Sequence, residues 1–409
     1  MQQPQLNLHQ SSKTASTNLV YWIYVIQVIA GARLMSRGRL MNLLAVALLA
    51  STSTSLFAQT LAYTRKPDAK NGKTIYEGGC IACHGADGKG ADEKLTEFKR
   101  PDTWPDFSRC DQTAPEPDSA WKAVIVNGGP YLGFSTIMPR FRDLLSNDQI
   151  DDVVAYLRTF CTNRHWPRGE LNLPRAIVTE KAFPEKEVVW STAVNASGSP
   201  GLETHVIHEQ AFGTKGQLEV DLPWTFENQN HAWDNHIGDM TFGWKQVIYS
   251  NLRSGSIFAL QGGILPPTGA EKLGGAGSTT FEPFGAFDQL FRSNTWVQFQ
   301  MGADLPFDTK KSPQSLFWYT TLGQTMAGDH RLGRQWSPMV EFLVTRDLLD
   351  GAKTDWDIMP EMQVTASKRQ HVRVNLGVRA PITDTAGRSP QVYFYVLWDW
   401  AEGHFWNGW

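Results

Sequence analysis

No acidic residue precedes Asp68 in this 409-residue chain, and up to residue 58 the only charges are Lys13, Arg33, Arg37 and Arg39. An acid-free, weakly basic start ahead of an apolar run is the pattern of an export signal. Charge is scarce elsewhere too, at 19% of residues, where an average soluble domain carries about 25%. The formal net charge of −3 is too mild for a nucleic-acid binder, so nucleic acid is not an expected partner. It hides a polarity: four of the 38 bases lie in residues 1–58, leaving 34 against 41 acids and a net of −7 beyond them. Long apolar runs are also missing. Leu19 to Ala32 and Leu40 to Ala50 both fall short of the ~20 residues a membrane helix needs. Arg37 and Arg39 before Leu40–Ala50, then Leu56-Phe57-Ala58, read as a signal peptide with Gln59 as the new N-terminus. The alternative is a membrane anchor at 40–50. Residues 1–34 read as an upstream extension, with Met35 or Met41 as the start, so residues 1–58 are set apart from the mature chain.

Cysteine is limited to four positions, and two of them carry the strongest motif in the chain. In Cys80-Ile81-Ala82-Cys83-His84 the spacing lets both thiols form thioethers to one porphyrin while the adjacent imidazole ligates its iron. A zinc site would want a second ligand pair, and Cys110 and Cys161 are single and far apart. Asp68 to Glu77 reads as a short helix entering the motif, and Gly85, Gly88 and Gly90 as a flexible turn after it. The second axial ligand is expected from Met138, in the irregular stretch Gly133 to Pro139, where Pro139 blocks helix continuation. A thioether ligand raises the potential of a haem relative to two imidazoles; His165 is the alternative ligand. The expected cofactor is therefore one covalent haem c held by Cys80, Cys83, His84 and Met138, with iron between His84 and Met138. Export and haem attachment imply an oxidising compartment, in which the two remaining thiols, Cys110 and Cys161, tend to pair. The alternative is two separate thiols.

Ser146 caps a further helix with Ile150, Val153, Val154 and Leu157 on one face. Tyr156, Leu157 and Phe160 are placed to pack on the first helix, and Trp121 is expected in the core or beside the haem. With these features residues 66–162 resemble a class I c-type cytochrome domain. The resemblance implies covalent haem c, an all-helical fold around it and one-electron transfer. The domain is read over 59–165, followed by a linker at 166–200.

Beyond residue 200 helical spacing is absent and strict alternation takes its place. Val372, Val374, Leu376, Val378 and Ala380 face one way, against His371, Arg373, Asn375, Gly377 and Arg379. Ten such runs are legible, at 201–211, 215–226, 237–250, 255–266, 294–307, 314–327, 335–347, 354–367, 370–382 and 390–401. Many exceed the usual 5–6 residues of a soluble strand, and Trp224, Trp296, Trp318, Trp336, Trp356, Trp398 and Trp400 gather near run ends. Long alternating strands with aromatic ends predict an outer-membrane antiparallel β-barrel of about ten strands over 201–409. A soluble β-sandwich is the alternative; a propeller would show a repeat. Val374 to Pro381 and Val396 to Trp400 resemble strands of the small outer-membrane barrels linked to phenol-degradation pathways. Trp409 is aromatic, as barrel assembly signals often are, but follows a polar tail.

Several apparent sites read as empty. His205 and His208, three apart on a strand, face opposite sides. His231 and His236 read as surface residues. Gly262-Gly263 and Gly274-Gly275 lack a following helix to cradle phosphate. No Ser-His-Asp arrangement or paired carboxylate stands out, which favours an electron carrier over a catalytic oxidoreductase. The function expected is periplasmic one-electron transfer with periplasmic redox partners, the barrel holding the protein in the outer membrane. The alternative is an outer-membrane channel with an accessory haem domain. A barrel returning its chain to the starting side places the helical domain in the periplasm, outside a lumen with little free space.

Overall fold

In a computed structural model of the chain, the described residues are 65–400 apart from 97, 102, 198–199, 230–231, 270–275, 327–334 and 387. The signal-peptide reading, the anchor alternative, His231, Gly274-Gly275 and Trp409 lie outside them. Among the described residues no helix is long and apolar enough to cross a membrane, which says nothing about strands.

The helical part comprises α1 (Ala69–Gly79), α2 (Ile81–His84), α3 (Cys110–Thr113), α4 (Asp118–Asn127) and α5 (Asn147–Leu157). Asp68 starts α1 by accepting from the Lys70 amide, and Ser146 and Gln149 form a reciprocal capping box on α5. The apolar face of α5, with Ile150, Val153, Val154 and Leu157, packs on Tyr76, Phe107 and Ile125; each such side chain contributes about 1.5–3 kcal/mol by burial. Tyr76 meets Tyr156 at 5.2 Å and Phe160 at 5.6 Å between ring centroids, as the sequence suggested. The helices cross at Gly72, where a Cβ would stand 1.9 Å from the Asp152 carbonyl oxygen. Only glycine allows that approach. Cys110 and Cys161 form a disulfide between the start of α3 and the segment after α5. Closing a loop of 51 residues stabilises the fold by about 4 kcal/mol in the chain-entropy account.

Among the described residues the β half has thirteen strands: β1 (Lys186–Asn195), β2 (Gly201–Phe212), β3 (Gly216–Gln229), β4 (Ala232–Ile237), β5 (Thr241–Asn251), β6 (Ser256–Leu265), β7 (Thr280–Leu290), β8 (Thr295–Pro306), β9 (Ser315–Gln324), β10 (Trp336–Asp347), β11 (Thr354–Thr365), β12 (Val372–Pro381) and β13 (Gln391–Asp399). All pairs are antiparallel. β1 pairs with β2 on one side and with β13 on the other, from Glu187↔Asp399 to Asn195↔Gln391, and this closes the ring. β4 pairs only with β3 and stands outside it. The barrel therefore has twelve strands, not about ten. The two missing from the sequence reading are β1, which falls inside the expected linker 166–200, and β7. In β1 the inward Val189 and Ala193 blur the alternation. In β7, Pro283 and Gly285 interrupt it, and Pro283, lacking an N–H, leaves a gap in the ladder to β8 between Phe281↔Leu305 and Phe284↔Gly302.

Outside and inside are inverted relative to a soluble protein. Trp190, Leu218, Leu222, Trp224, Trp244, Leu260, Met301, Leu322 and Leu376 are exposed on the outer face, while Glu209, Gln217, Lys245, Gln298, Glu341, Gln363 and Asn375 are buried within. A closed ladder with an apolar exterior and a polar lumen is the architecture that crosses a lipid bilayer with strands. Trp296 departs from its expected place in an aromatic rim: it is fully buried, packed with Leu173, Ala176 and Met339.

Those partners belong to the most consequential part of the stretch read as linker. Residues 171–185 enter the lumen and return, forming a plug. Their backbone is held by strand side chains around the circumference. The amides of Val178 and Thr179 donate to Glu341 at 3.0 and 2.7 Å, and those of Glu180, Ala182 and Glu185 donate to Gln300, Asp288 and Gln217 at 2.8, 2.9 and 2.7 Å. The Arg175 carbonyl accepts from Tyr395 at 2.7 Å, and its guanidinium pairs with Glu209, Glu187 and Glu180 at 2.8, 3.0 and 3.1 Å. An irregular segment at membrane depth needs such partners for its polar backbone. Glu341 and Gln300 lie halfway along their strands, so the plug reaches mid-height of the barrel.

Candidate haem site

α1 delivers Cys80 to the cavity, and α2 carries Cys83 and His84 one turn further. Ring closure after the motif is tight: the Gly90 amide donates to the His84 carbonyl at 2.8 Å, the Ala91 amide to that of Cys83 at 2.9 Å, and the Tyr76 hydroxyl to that of Gly85 at 2.6 Å. Neither motif cysteine takes part in a disulfide. Burial, with the neighbouring Cys83, holds the Cys80 thiol above its ordinary pKa. The His84 ring lies 5.5 Å from Trp104 and 5.3 Å from Phe107, and burial brings its pKa down to about 4, leaving the imidazole neutral.

Met138 reaches the same cavity from the opposite side of the sequence. α4 ends at Asn127, and the chain loops back so that the Gly129 amide donates to the Met138 carbonyl at 3.0 Å. Cys80, Cys83, His84 and Met138 all line one cavity of about 1080 Å³, together with Phe107, Trp121, Ile125, Val153 and Leu157. His165, the alternative ligand, is exposed and is not part of its wall.

The residues present fit a haem. The walls are apolar and aromatic, two thiols and an imidazole share one side, and a thioether stands in the same cavity. Beside the motif, two buried nitrogens have no hydrogen-bond partner, Trp104 Nε1 and Arg100 Nε, and Trp104 also lines the cavity. Orphaned buried donors of this kind are costly and call for an acceptor; the carboxylates of a haem supply one. Arg100 and Trp104 were not singled out from sequence. The available signal is a lone tryptophan in the charged, proline-flanked loop Arg100 to Pro105.

The cavity continues to the mouth of the barrel, where Gln363, Arg369, Arg373, Asp399 and Trp400 also line it. The connector is clamped to the helical domain before it enters the lumen. Asp118 accepts from Arg158 and Arg168 at 2.7 and 2.8 Å, and the Gly169 amide donates to the Ala114 carbonyl at 2.8 Å.

The other flagged residues form no site. His205 points into the lumen beside Asp221 at 2.9 Å, whereas His208 points outward, its ring 5.8 Å from Trp400. His236 stands on β4, outside the barrel ring. Carboxylates of Glu180, Glu209 and Glu219 approach one another within 4.8 Å, but Arg175 bridges two of them and Lys245 lies 3.7 Å from Glu180. Their charge is met by the protein itself.

Residues 69–160 match the family model for cytochrome c, a domain that implies covalently bound haem c. No curated protein matches the sequence. Among solved structures, an outer-membrane channel from Pseudomonas putida F1 aligns over 54% of this chain and 97% of its own at 10% identity, with a TM-score of 0.38. The KdgM porin aligns over 52% and 99% at 8% identity and a TM-score of 0.36, and the NanC porin over 52% and 98% with the same identity and score. At these scores the membrane assignment rests on the barrel's own closed ladder, apolar exterior and polar lumen.

Proposed function

With a cytochrome c domain and a membrane-type barrel in one chain as the premise, we propose that this protein is a single-haem electron carrier anchored in the outer membrane, its haem domain facing the periplasm. The observation that carries the reading is the convergence of Cys80, Cys83, His84 and Met138 on one cavity whose wall also holds Trp104 with its unpartnered Nε1. Cys80 and Cys83 would hold the group covalently, and His84 and Met138 would ligate its iron. Haem bound there supplies a one-electron couple. The chain's own residues bind it, exclude water with Phe107, Trp121 and Leu157, and set its potential through the Met138 thioether.

Two features support anchoring over free conduction and a periplasmic domain over an external one. The plug reaches mid-height of the lumen. The helical domain joins the barrel at the end bearing the connections 213–215, 252–255, 291–294, 325–335 and 366–371, of which four are six residues or fewer, while 196–200, 266–279, 307–314, 348–353 and 382–390, longer on average, lie at the other. Short turns are the periplasmic ones in outer-membrane barrels. The electron partners would then be periplasmic redox proteins.

The test is to fractionate cells expressing the full chain and follow haem. One haem per chain, resistant to acid-acetone extraction and confined to the outer-membrane fraction, with reversible one-electron reduction, is the expected result. Soluble haem protein, or a membrane protein without covalent haem, would overturn the reading.

A further inference from the structure

The turn between β11 and β12, residues 366–371, touches the helical domain beside the Met138 loop. The Arg369 guanidinium carbon lies 5.2 Å from the centre of the Phe134 ring, and Nη2 donates to the Gly133 carbonyl at 3.4 Å. Phe134, Met138 and Arg369 all line the haem-site cavity. The loop carrying them is tied to a single point: the Phe134 amide donates to the Gly129 carbonyl at 2.9 Å, and the Gly129 amide to the Met138 carbonyl at 3.0 Å. A displacement of Phe134 is thereby passed to Met138.

We propose that Arg369 belongs to the electron-transfer centre: it positions the Met138 loop through Phe134 and supplies a fixed positive charge that favours the reduced iron. The barrel is then part of the redox site as well as its anchor. This rests on the reading that the cavity holds haem with Met138 on the iron. Arginine suits the role because its planar cation stacks on an aromatic face and stays charged at any working pH. Reduction removes one unit of positive charge from the iron. A nearby cation therefore stabilises the reduced state, and in the partly solvated surroundings of a half-exposed turn it does so by a factor on the order of three to ten.

The experiment is potentiometric titration of the intact haem-bearing protein in detergent, for wild type, Arg369→Lys, Arg369→Gln and Arg369→Glu. The position is a half-exposed turn, so barrel assembly should survive, and heat-modifiable migration verifies it. At fixed ambient potential the reduced-to-oxidised ratio should stay near wild type for Lys. It should fall about threefold for Gln and about tenfold for Glu, equivalent to midpoint drops of about 28 and 59 mV for one electron. The red-edge charge-transfer band of the oxidised protein should weaken in the Gln and Glu variants. Equal potentials across the series, or one common shift in all three variants, would overturn the assignment of Arg369. A wild-type spectrum without the charge-transfer band removes Met138 as ligand instead, and the potential series still decides whether Arg369 acts by its charge.

Discussion

Asp152 shows how one buried side chain ties the helical domain together. It is fully buried, with its carbonyl against Gly72, and its carboxylate accepts from Arg65 and the Asp68 amide at 2.6 Å and from Asn71 at 2.7 Å. Burial works against its charge, but these donors outweigh it and hold its pKa below the ordinary aspartate value. A folded-state pKa below the unfolded one gives stability that is complete above the unfolded value near 4 and is lost as pH falls through the folded value. Asp152→Asn should therefore lower the stability of the domain at neutral pH by about 1–3 kcal/mol and flatten its acid dependence. Denaturant titration of the haem absorption at several pH values measures both. Met138→Ala, by contrast, should leave the domain folded but abolish the red-edge charge-transfer band and admit exogenous ligands such as imidazole. An unchanged spectrum would remove Met138 from the iron. The motif at Cys80 to His84 was legible because thioether attachment needs only local spacing. Arg100 and Trp104 were not, since their importance lies in buried nitrogens left without partners after the chain has folded around them.

At the scale of elements, the plug changes what the barrel can do. A twelve-stranded ring is wider than the ten-stranded one expected from sequence, and residues 171–185 are held inside it by strand side chains. Arg175 anchors the segment with Glu187, Glu209 and Glu180. Removing one partner of a buried ion-pair network costs about 3–5 kcal/mol, because the other charges are left uncompensated. Arg175→Ala should thus loosen the plug. In planar bilayers the wild-type protein is expected to be nearly silent and the variant to show discrete conductance steps; open-pore conductance in wild type would mean the plug is no seal. The apolar character of Leu171, Leu173, Ile177, Val178 and Phe183 was the available hint that 166–200 was more than a linker. Periodicity could not find it, because the plug is neither helix nor strand. β7, a true strand, was hidden for another reason: the alternation on which strand reading depends is broken at Pro283 and Gly285, residues that the ladder accommodates with a gap.

At the scale of the whole molecule, an even-stranded ring returns the chain to the mouth where β1 began, and the helical domain stands at that mouth. Protease added to intact cells should spare the haem domain, and permeabilising the outer membrane should expose it to cleavage; digestion in intact cells would reverse the topology. What the sequence by itself determined are the features that depend on near neighbours. These include the attachment motif, the caps at Asp68 and Ser146, and the sign of each residue along β11, β12 and β13, since successive side chains on a strand must point to opposite faces. Tertiary structure alone decided the number of strands in the ring, the entry of 171–185 into the lumen, the inward turn of Trp296 and the meeting of Arg369 with Phe134. Each of these joins residues that no local rule connects: closure requires β1 to find β13 across about two hundred residues. The plug persists because polar side chains from strands all around the ring converge on one stretch of backbone that would otherwise be buried without partners.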